Sequence, residues 1–234
     1  MRTALDQIRS LATPAHRSGG GLCQPCVRVL PVTGAAVSTI CGSIATDTVC
    51  ATDDVAFRID ELQFDLGEGP CWDAVATQRP VLIPNLVRKQ PRWPMFSTAA
   101  RLTEAAAVFT FPLTIGTISV GALTLYRRTP GPLAMQARHD AHELADAVAA
   151  ALLRLVLPAG TATEPNDPET IWRDSPHNRR EIHQATGIIV NQLGVPVDAA
   201  YARLSGHAFA TSTTMAVVAH DVVTHGLLLP QVAN

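Results

Sequence analysis

The sequence is poor in lysine and has almost no excess of either charge. Lys89 is the only lysine, and the 18 basic residues are balanced by 20 acidic ones, which gives a net charge of −2. A chain this close to neutral lacks the overall positive field that attracts nucleic acid. Hydrophobic residues make up 47% of the chain and charged residues 16%, a composition that indicates a globular rather than a disordered protein.

Long apolar runs are also missing. No stretch reaches the roughly 18 uninterrupted apolar residues that a membrane-spanning helix needs, and the richest run, 145–157, is interrupted by Asp146 and Arg154. The first eleven residues alternate charged and apolar side chains and lack the apolar centre of a signal peptide. We therefore expect a cytoplasmic protein.

The number of cysteines is odd, which argues against a closed framework of disulfides. In the cytoplasm we expect all five of them to be reduced: Cys23, Cys26, Cys41, Cys50 and Cys71. The spacing of Cys23 and Cys26 fits a redox or metal pair, but a zinc site of the common type needs a second such pair, and the sequence has none. Burial as ordinary core residues is favoured, and a redox role for Cys23 and Cys26 is the alternative.

Sequence motifs of catalysis are absent. His139 and His142 share a helix face, but they are not in the H-E-x-x-H arrangement of zinc enzymes and no third ligand is evident. No serine lies in a G-x-S-x-G context, and there is neither a P-loop nor a G-x-G-x-x-G motif. We therefore predict that the protein is not an enzyme, and the sequence identifies no metal site and no cofactor.

Composition divides the chain into two folded parts. Residues 158–171 contain three prolines, one glycine and almost no large apolar side chain, which is typical of a linker. Strand and helix patterns precede this segment, and only helical patterns follow it. We predict an N-terminal extension over 1–17, an α/β domain over 18–157 and an all-helical domain over 172–229.

The first part has the pattern of a central antiparallel sheet with flanking helices. Val108–Ile115 alternates with a period of two, Gly116 and Thr117 form a turn, and Ser119–Tyr126 returns as a second strand. Three more strands and a long helix are predicted at Gly34–Cys41, Thr48–Thr52, Val81–Ile83 and Leu133–Leu157. This arrangement is an α/β sandwich.

The second part has three segments with helical periodicity. The first covers Pro176–Leu193 and is followed by the stop signal Gly194, and the second covers Val197–Ala208. The third follows a cap at 211–213 and ends at Gly226. A bundle of about 55 residues is marginal alone, so packing against a neighbour or forming a dimer would stabilise it.

Three segments of the helical part share a pattern with a known family. They read Arg180-x-x-x-Gln184-Ala185-Thr186-Gly187, Ala200-Tyr201-x-x-Leu204 and Met215-x-x-Val218-Ala219. Together they resemble the ANTAR family, a three-helix module whose members bind RNA hairpins and prevent transcription terminators from forming. The resemblance implies a three-helix ANTAR-like bundle, RNA hairpins as partners and a role in transcription antitermination.

Candidate RNA-binding residues follow from the first two helices. Arg180, Gln184 and Gly187 recur at i, i+4 and i+7 and therefore share one stripe. Arginine and glutamine suit contacts with phosphates and base edges, and glycine lets a partner approach the backbone. Arg203 of the second helix extends this surface.

The sequence departs from the ANTAR pattern at two positions of the same surface. The family usually has a lysine where this chain has Thr186 and an arginine where it has Ser205. Phosphate contacts dominate the affinity of nucleic-acid binding, so the two changes remove expected contributions. A degenerate ANTAR bundle that serves dimerisation or ligand binding is therefore the alternative to RNA binding.

A second series of motifs lies in the first part, in the order Leu22-Cys23-x-x-Cys26, then Leu62-Gln63-Phe64-x-Leu66-Gly67-Glu68-Gly69-Pro70-Cys71, then Arg92-Trp93-Pro94. It resembles the GAF domain that is paired with ANTAR in actinobacterial regulators. GAF domains bind small molecules or chromophores, or only dimerise. The resemblance implies an α/β GAF-like fold, signal sensing and a homodimer.

Aromatic residues surround the Gly67–Cys71 turn in the sequence. Together with one acid they form the candidate ligand-binding set: Phe57, Phe64, Glu68, Trp72 and Trp93. Ligand pockets are mostly apolar with a few polar groups, and an ordinary core has the same composition. Three functions therefore stay open: an RNA-binding antitermination regulator, a ligand-binding or dimerisation module with a degenerate bundle, and a thiol-based redox sensor.

Overall fold

The computed structural model describes residues 2–11, 21–41, 45–88, 91–156, 180–211 and 213–229. The chain forms two compact units, one built around a sheet and one containing the last three helices. The predicted linker, 158–171, lies outside the described residues. No helix in the described ranges is long and apolar enough to cross a membrane.

The first unit is a five-stranded sheet with helices on both faces. Its elements in chain order are α1 Arg2–Leu11, α2 Gln24–Val29, β1 Gly34–Cys41, β2 Ala45–Ala51, α3 Asp54–Asp65, α4 Pro70–Thr77, β3 Val81–Ile83, α5 Pro94–Ala100, β4 Ala107–Ile115, β5 Ile118–Arg127 and α6 Met135–Val156. The strand order is β2-β1-β5-β4-β3, and the β1/β5, β5/β4 and β4/β3 pairs are antiparallel. The predicted fold class is confirmed, and the strand expected at Thr48–Thr52 begins earlier, at Ala45.

Period-two alternation in β4 and β5 separates the two faces of the sheet. Phe109 pairs with Leu125, and both lie in the core beneath α6. Val108 pairs with Tyr126, and both lie in the core beneath α3 and α5. Because both faces are covered, the two strands are buried over most of their length.

Helix α1 lies inside the segment predicted as an N-terminal extension. Ala4 and Ile8, one helical turn apart, are buried in the same core as Leu144 and Val148 of α6. Their i, i+4 spacing is the sequence signal of an amphipathic helix. The chain therefore contributes to the core of the sheet unit from its first turn of helix.

The cysteines differ from the expectation that all are reduced. Cys23, just before α2, forms a disulfide with Cys50 of β2, and both are buried. Cys26 and Cys71 are free and buried, and the side chain of Cys41 lies outside the described set. The expectation that Cys23 and Cys50 are reduced is therefore wrong, and the alternative redox role for Cys23 and Cys26 does not pair these two, because the fold places Cys50 of β2 beside Cys23.

The second unit contains the three predicted helices: α7 Arg180–Leu193, α8 Val197–Ala210 and α9 Met215–Thr224. Gly194 and Gly226 follow α7 and α9 with φ of 63° and 66°, a left-handed backbone that favours glycine. The cap of α9 is Thr214, whose Oγ1 accepts a hydrogen bond from the backbone N of Val217, and not the predicted 211–213 segment. Residues 176–179 of the predicted first helix lie outside the described residues.

Candidate functional site

Helix α7 has one buried face and one exposed face. Ile182, Ala185 and Ile189 are buried in the core of the bundle. Gln184 and Gly187, two of the predicted RNA-binding residues, are exposed on the opposite side. The 3.6-residue period of the helix produces this separation, so the predicted stripe exists as a surface at these two positions.

Thr186 does not lie on that surface. Its side chain is only 5% exposed, and Oγ1 donates a hydrogen bond of 2.7 Å to the carbonyl of Ile182, one turn earlier. A threonine hydroxyl that bonds to its own helix in this way is satisfied without a partner molecule. The structure therefore removes Thr186 from the exposed face of α7.

Three further predicted RNA-binding residues are Arg180, Arg203 and Ser205. Arg180 is the first residue of α7, and its side chain lies outside the described part. Arg203 and Ser205 are half-buried on α8. Gln184 and Gly187 are thus the two predicted residues whose exposure the structure establishes.

Gly187 and Gly206 are glycines in helix interiors that packing does not require. A Cβ atom added to either would meet no other atom within 4 Å. Glycine costs a helix interior about 1 kcal/mol relative to alanine. The bundle therefore carries two exposed positions, one in α7 and one in α8, where glycine lowers helix stability without relieving a steric clash.

Two histidines near the end of the chain pair with acids, one across α7 and α9 and one at the C-terminal end of α9. His220 Nδ1 lies 3.2 Å from Oε2 of Glu181, which is in the first turn of α7. His225 Nδ1 lies 3.1 Å from Oδ1 of Asp221, and the two imidazole rings meet edge to face with centroids 5.9 Å apart. The His220–Glu181 pair joins α9 to the start of α7, and the His225–Asp221 pair lies at the C-terminal end of α9; both are at exposed positions.

In the sheet unit, the Gly67–Cys71 turn is held by Gln63 of α3. Gln63 is fully buried, its Oε1 accepts a hydrogen bond of 2.7 Å from the Cys71 N, and its carbonyl accepts one of 2.7 Å from Trp72 Nε1. Gly69 has φ of 144°, and a Cβ there would lie 2.6 Å from Cγ of Gln63. The turn therefore requires glycine at this position, for both backbone conformation and space.

The predicted ligand-binding residues are mostly engaged by the protein itself. Glu68 Oε1 accepts a hydrogen bond of 2.7 Å from the Phe96 N at the start of α5. Phe64 and Trp93 are buried, and Phe64 contacts Trp72 edge to face at 5.4 Å. Phe64 and Trp72 thus belong to one small core beside the turn, and Trp93 belongs to a different one.

The fifth residue of that set, Phe57, is half-buried on α3. Separately, a cavity of about 500 Å³ opens near the end of β3 and is lined by Pro84, Asn85, Arg88, Pro130 and Gly131. None of the predicted ligand-binding residues lines it.

A buried carboxylate was missed by sequence reasoning. Asp60 of α3 is fully buried and accepts hydrogen bonds from Ser38 Oγ at 2.7 Å and Thr48 Oγ1 at 2.6 Å. These bonds join α3 to β1 and β2. The sequence feature that could have revealed Asp60 is its position next to Ile59 and one turn before Gln63. This position puts an acid on the apolar face of α3.

Cys26, the free thiol closest to the disulfide in the sequence, has low reactivity. Cys26 Sγ contacts the carbonyl of Leu22 at 3.9 Å, and burial raises the pKa of the Cys26 thiol from 9.0 to about 12. The thiolate is the reactive form. Cys26 is therefore a poor nucleophile toward the Cys23–Cys50 bond.

Comparison with known families gives two matches. A model described as the GAF domain matches residues 3–153, and a model described as the ANTAR domain matches residues 173–223. A search of curated proteins found no match.

Solved structures match the sheet unit. The crystal structure of the cyanobacteriochrome TePixJ GAF domain has a TM-score of 0.50 at 17% identity and covers 64% of this chain and 94% of that one. A GAF domain from an Acinetobacter phosphoenolpyruvate-protein phosphotransferase gives 0.49 at 11% identity, covering 65% and 92%. A type II free methionine-R-sulfoxide reductase from Thermoplasma acidophilum gives 0.45 at 12% identity, covering 63% and 96%. At these identities the likeness to the TePixJ domain shows a shared fold and nothing further.

Proposed function

We propose the function of this protein from one premise: the chain belongs to the GAF domain family and carries an ANTAR domain after it. It is a regulator of transcription termination, in which the GAF domain senses a signal and the ANTAR domain binds an RNA hairpin. It acts in the cytoplasm, by binding rather than by catalysis. A homodimer would present two RNA-binding units to neighbouring hairpins.

The observation that carries this proposal is the exposed polar face of α7. Gln184 and Gly187 face solvent while the apolar residues of the same helix are buried in the bundle. A side-chain amide offers both a donor and an acceptor to a base edge. This face lies within the segment matched as an ANTAR domain.

The direct test is binding of the full chain to hairpin RNAs selected from a library with randomised loops. We expect specific binding to looped hairpins, because proteins read unpaired bases best. Arg180→Ala should weaken binding and lower the slope of log affinity against log salt by about 1. Absence of binding above a non-specific control at low salt would refute RNA binding and favour a degenerate bundle.

A second candidate function, thiol-based redox sensing, is favoured by the Cys23–Cys50 disulfide. Reduction by a dithiol would convert the bond into two thiols, with the dithiol oxidised to its own disulfide. Redox sensing predicts that hairpin affinity differs between the oxidised and the reduced protein. Equal affinities in both states would make the bond a structural cross-link.

A further inference from the structure

The exposed face of α7 continues past Gly187 toward the C-terminal end of the helix. Asn191, one turn after Gly187, is exposed like Gln184 and Gly187. At 100° per residue, positions 184 and 191 point in directions only about 20° apart. Gly187 lies between them along the helix axis and points about 40° to 60° to one side of them. We name these three residues, Gln184, Gly187 and Asn191, the amide stripe.

The amide stripe carries no charge, and its two amides are available. Within the residues that the structure describes, no hydrogen bond engages the side chain of Gln184 or Asn191. A side-chain amide presents a donor and an acceptor side by side, whereas phosphates need donors and are held best by cations. Uncharged amides therefore complement the edges of bases better than the phosphate backbone.

Gly187, which lies one helical turn from each of the two amides, has no side chain to cover the helix backbone. Gly187 lowers the helix propensity of α7, and no neighbouring atom explains the absence of a side chain. Between Gln184 and Asn191, a missing Cβ leaves a shallow gap over the helix backbone. A flat, unpaired base can lie against this gap while its edge reaches the amides on either side.

We propose that the amide stripe is the base-reading surface of the ANTAR domain, at which unpaired bases of an RNA loop lie over Gly187 and form hydrogen bonds with Gln184 and Asn191. Paired amide contacts of this kind favour adenine, whose N6 donates and whose N7 accepts. The inference rests on the proposed function, and it assigns base identity to this stripe and phosphate affinity to other residues.

The experiment uses the full chain and a library of hairpin RNAs with randomised loops. Gln184→Ala and Asn191→Ala should each weaken binding of the selected hairpin about tenfold and reduce the preference among loop bases. The salt slope should stay unchanged, because neither residue contacts phosphate. Gln192→Ala is the matched control, since Gln192 is also an exposed amide but points about 100° away from Asn191.

Gly187→Ala separates a binding role from a structural one. Alanine meets no neighbouring atom at this position, so we expect a higher melting temperature of the ANTAR unit together with RNA binding weakened at least tenfold. A residue that matters only for the fold would not move stability and affinity in opposite directions.

Three results would overturn the inference. The first is that Asn191→Ala binds RNA as Gln192→Ala does, and the second is that Gly187→Ala binds as the wild type does. The third is that the stripe variants shift the monomer–dimer equilibrium in sedimentation and leave RNA binding intact, which would make the stripe a seam between two copies. Failure of the wild type to bind any hairpin would instead refute the proposed function itself, so the two failures are distinguishable.

Discussion

Ser38 of β1 donates a hydrogen bond of 2.7 Å to the buried carboxylate of Asp60, and Thr48 of β2 donates a second one of 2.6 Å. A single acid of α3 therefore fixes the helix across two neighbouring strands at the edge of the sheet. Buried polar groups are costly unless they are paired, so this arrangement is stable only while all three partners remain.

Asp60→Ala should destabilise the GAF unit by about 3 kcal/mol, because the substitution leaves two buried hydroxyls without their acceptor. Asp60→Asn should cost less, since its amide oxygen still accepts one hydrogen bond. Urea denaturation followed by circular dichroism measures both variants. A loss below about 0.5 kcal/mol for Asp60→Ala would mean that water or another group replaces the carboxylate.

How well the sequence predicts each element of the sheet unit depends on how clearly its apolar and polar residues alternate. Strands β4 and β5 alternate cleanly, so their bounds are recovered within a residue or two. Helix α3 buries Asp60 and Gln63 among apolar residues, which hides its amphipathic pattern. Polar residues on an apolar face lower the contrast between faces on which such predictions depend.

Contacts between residues far apart in the chain are the other feature that could not be predicted from the sequence. Cys23 and Cys50 are 27 residues apart in the sequence, and their burial in one common core brings their Cα atoms to 6.1 Å. Thr186 differs in kind, because its position one residue after Ala185 of the core seam already places it near the buried face of α7. The resemblance to the ANTAR family predicts an RNA contact at this position, whereas the helical period predicts burial.

The disulfide should contribute about 3–4 kcal/mol to the stability of the GAF unit, from the chain entropy of the 27-residue separation that it closes. Reduction of the wild type should therefore lower its free energy of unfolding by that amount. The double variant Cys23→Ala/Cys50→Ala should not respond to reductant. Alkylation before and after reduction, read by mass spectrometry, should differ by two cysteines, and an equal count in both samples would contradict the bond.

A lysine at position 186 tests whether the buried face of α7 can hold the residue that the ANTAR family usually has there. Thr186 is buried and its hydroxyl is hydrogen-bonded within α7. Thr186→Lys should therefore destabilise the ANTAR unit by about 1–3 kcal/mol, because the lysine must either bury its ammonium group or bend its side chain around the core to reach solvent. Ser205→Arg, at a half-buried position on α8, is the comparison. Thermal unfolding of the two variants decides the matter, and a Thr186→Lys protein as stable as the wild type would show that the long side chain reaches solvent without strain.

Alkaline pH should unfold the protein through two groups whose pKa values are raised. Burial raises the pKa of Cys26 to about 12, and burial together with the hydrogen bond to Asp53 raises the pKa of Tyr126 to about 12. Both groups are neutral when protonated, so the folded state keeps its protons while the unfolded chain loses them. The stability they contribute is complete below about pH 8, where neither group ionises in the unfolded chain, and is lost as the pH rises toward 12.

For Cys26 alone, the loss between pH 8 and pH 10.5 should be about 2 kcal/mol. Cys26→Ala lowers stability at every pH by leaving a small cavity, but it should flatten this part of the pH dependence. Tyr126→Phe should do the same for the steeper fall above pH 10, where the phenol of the unfolded chain ionises. Free energies of unfolding at half-unit steps of pH provide the slopes, and parallel curves for the wild type and Cys26→Ala would show that the thiol ionises as readily in the folded protein as in the unfolded chain.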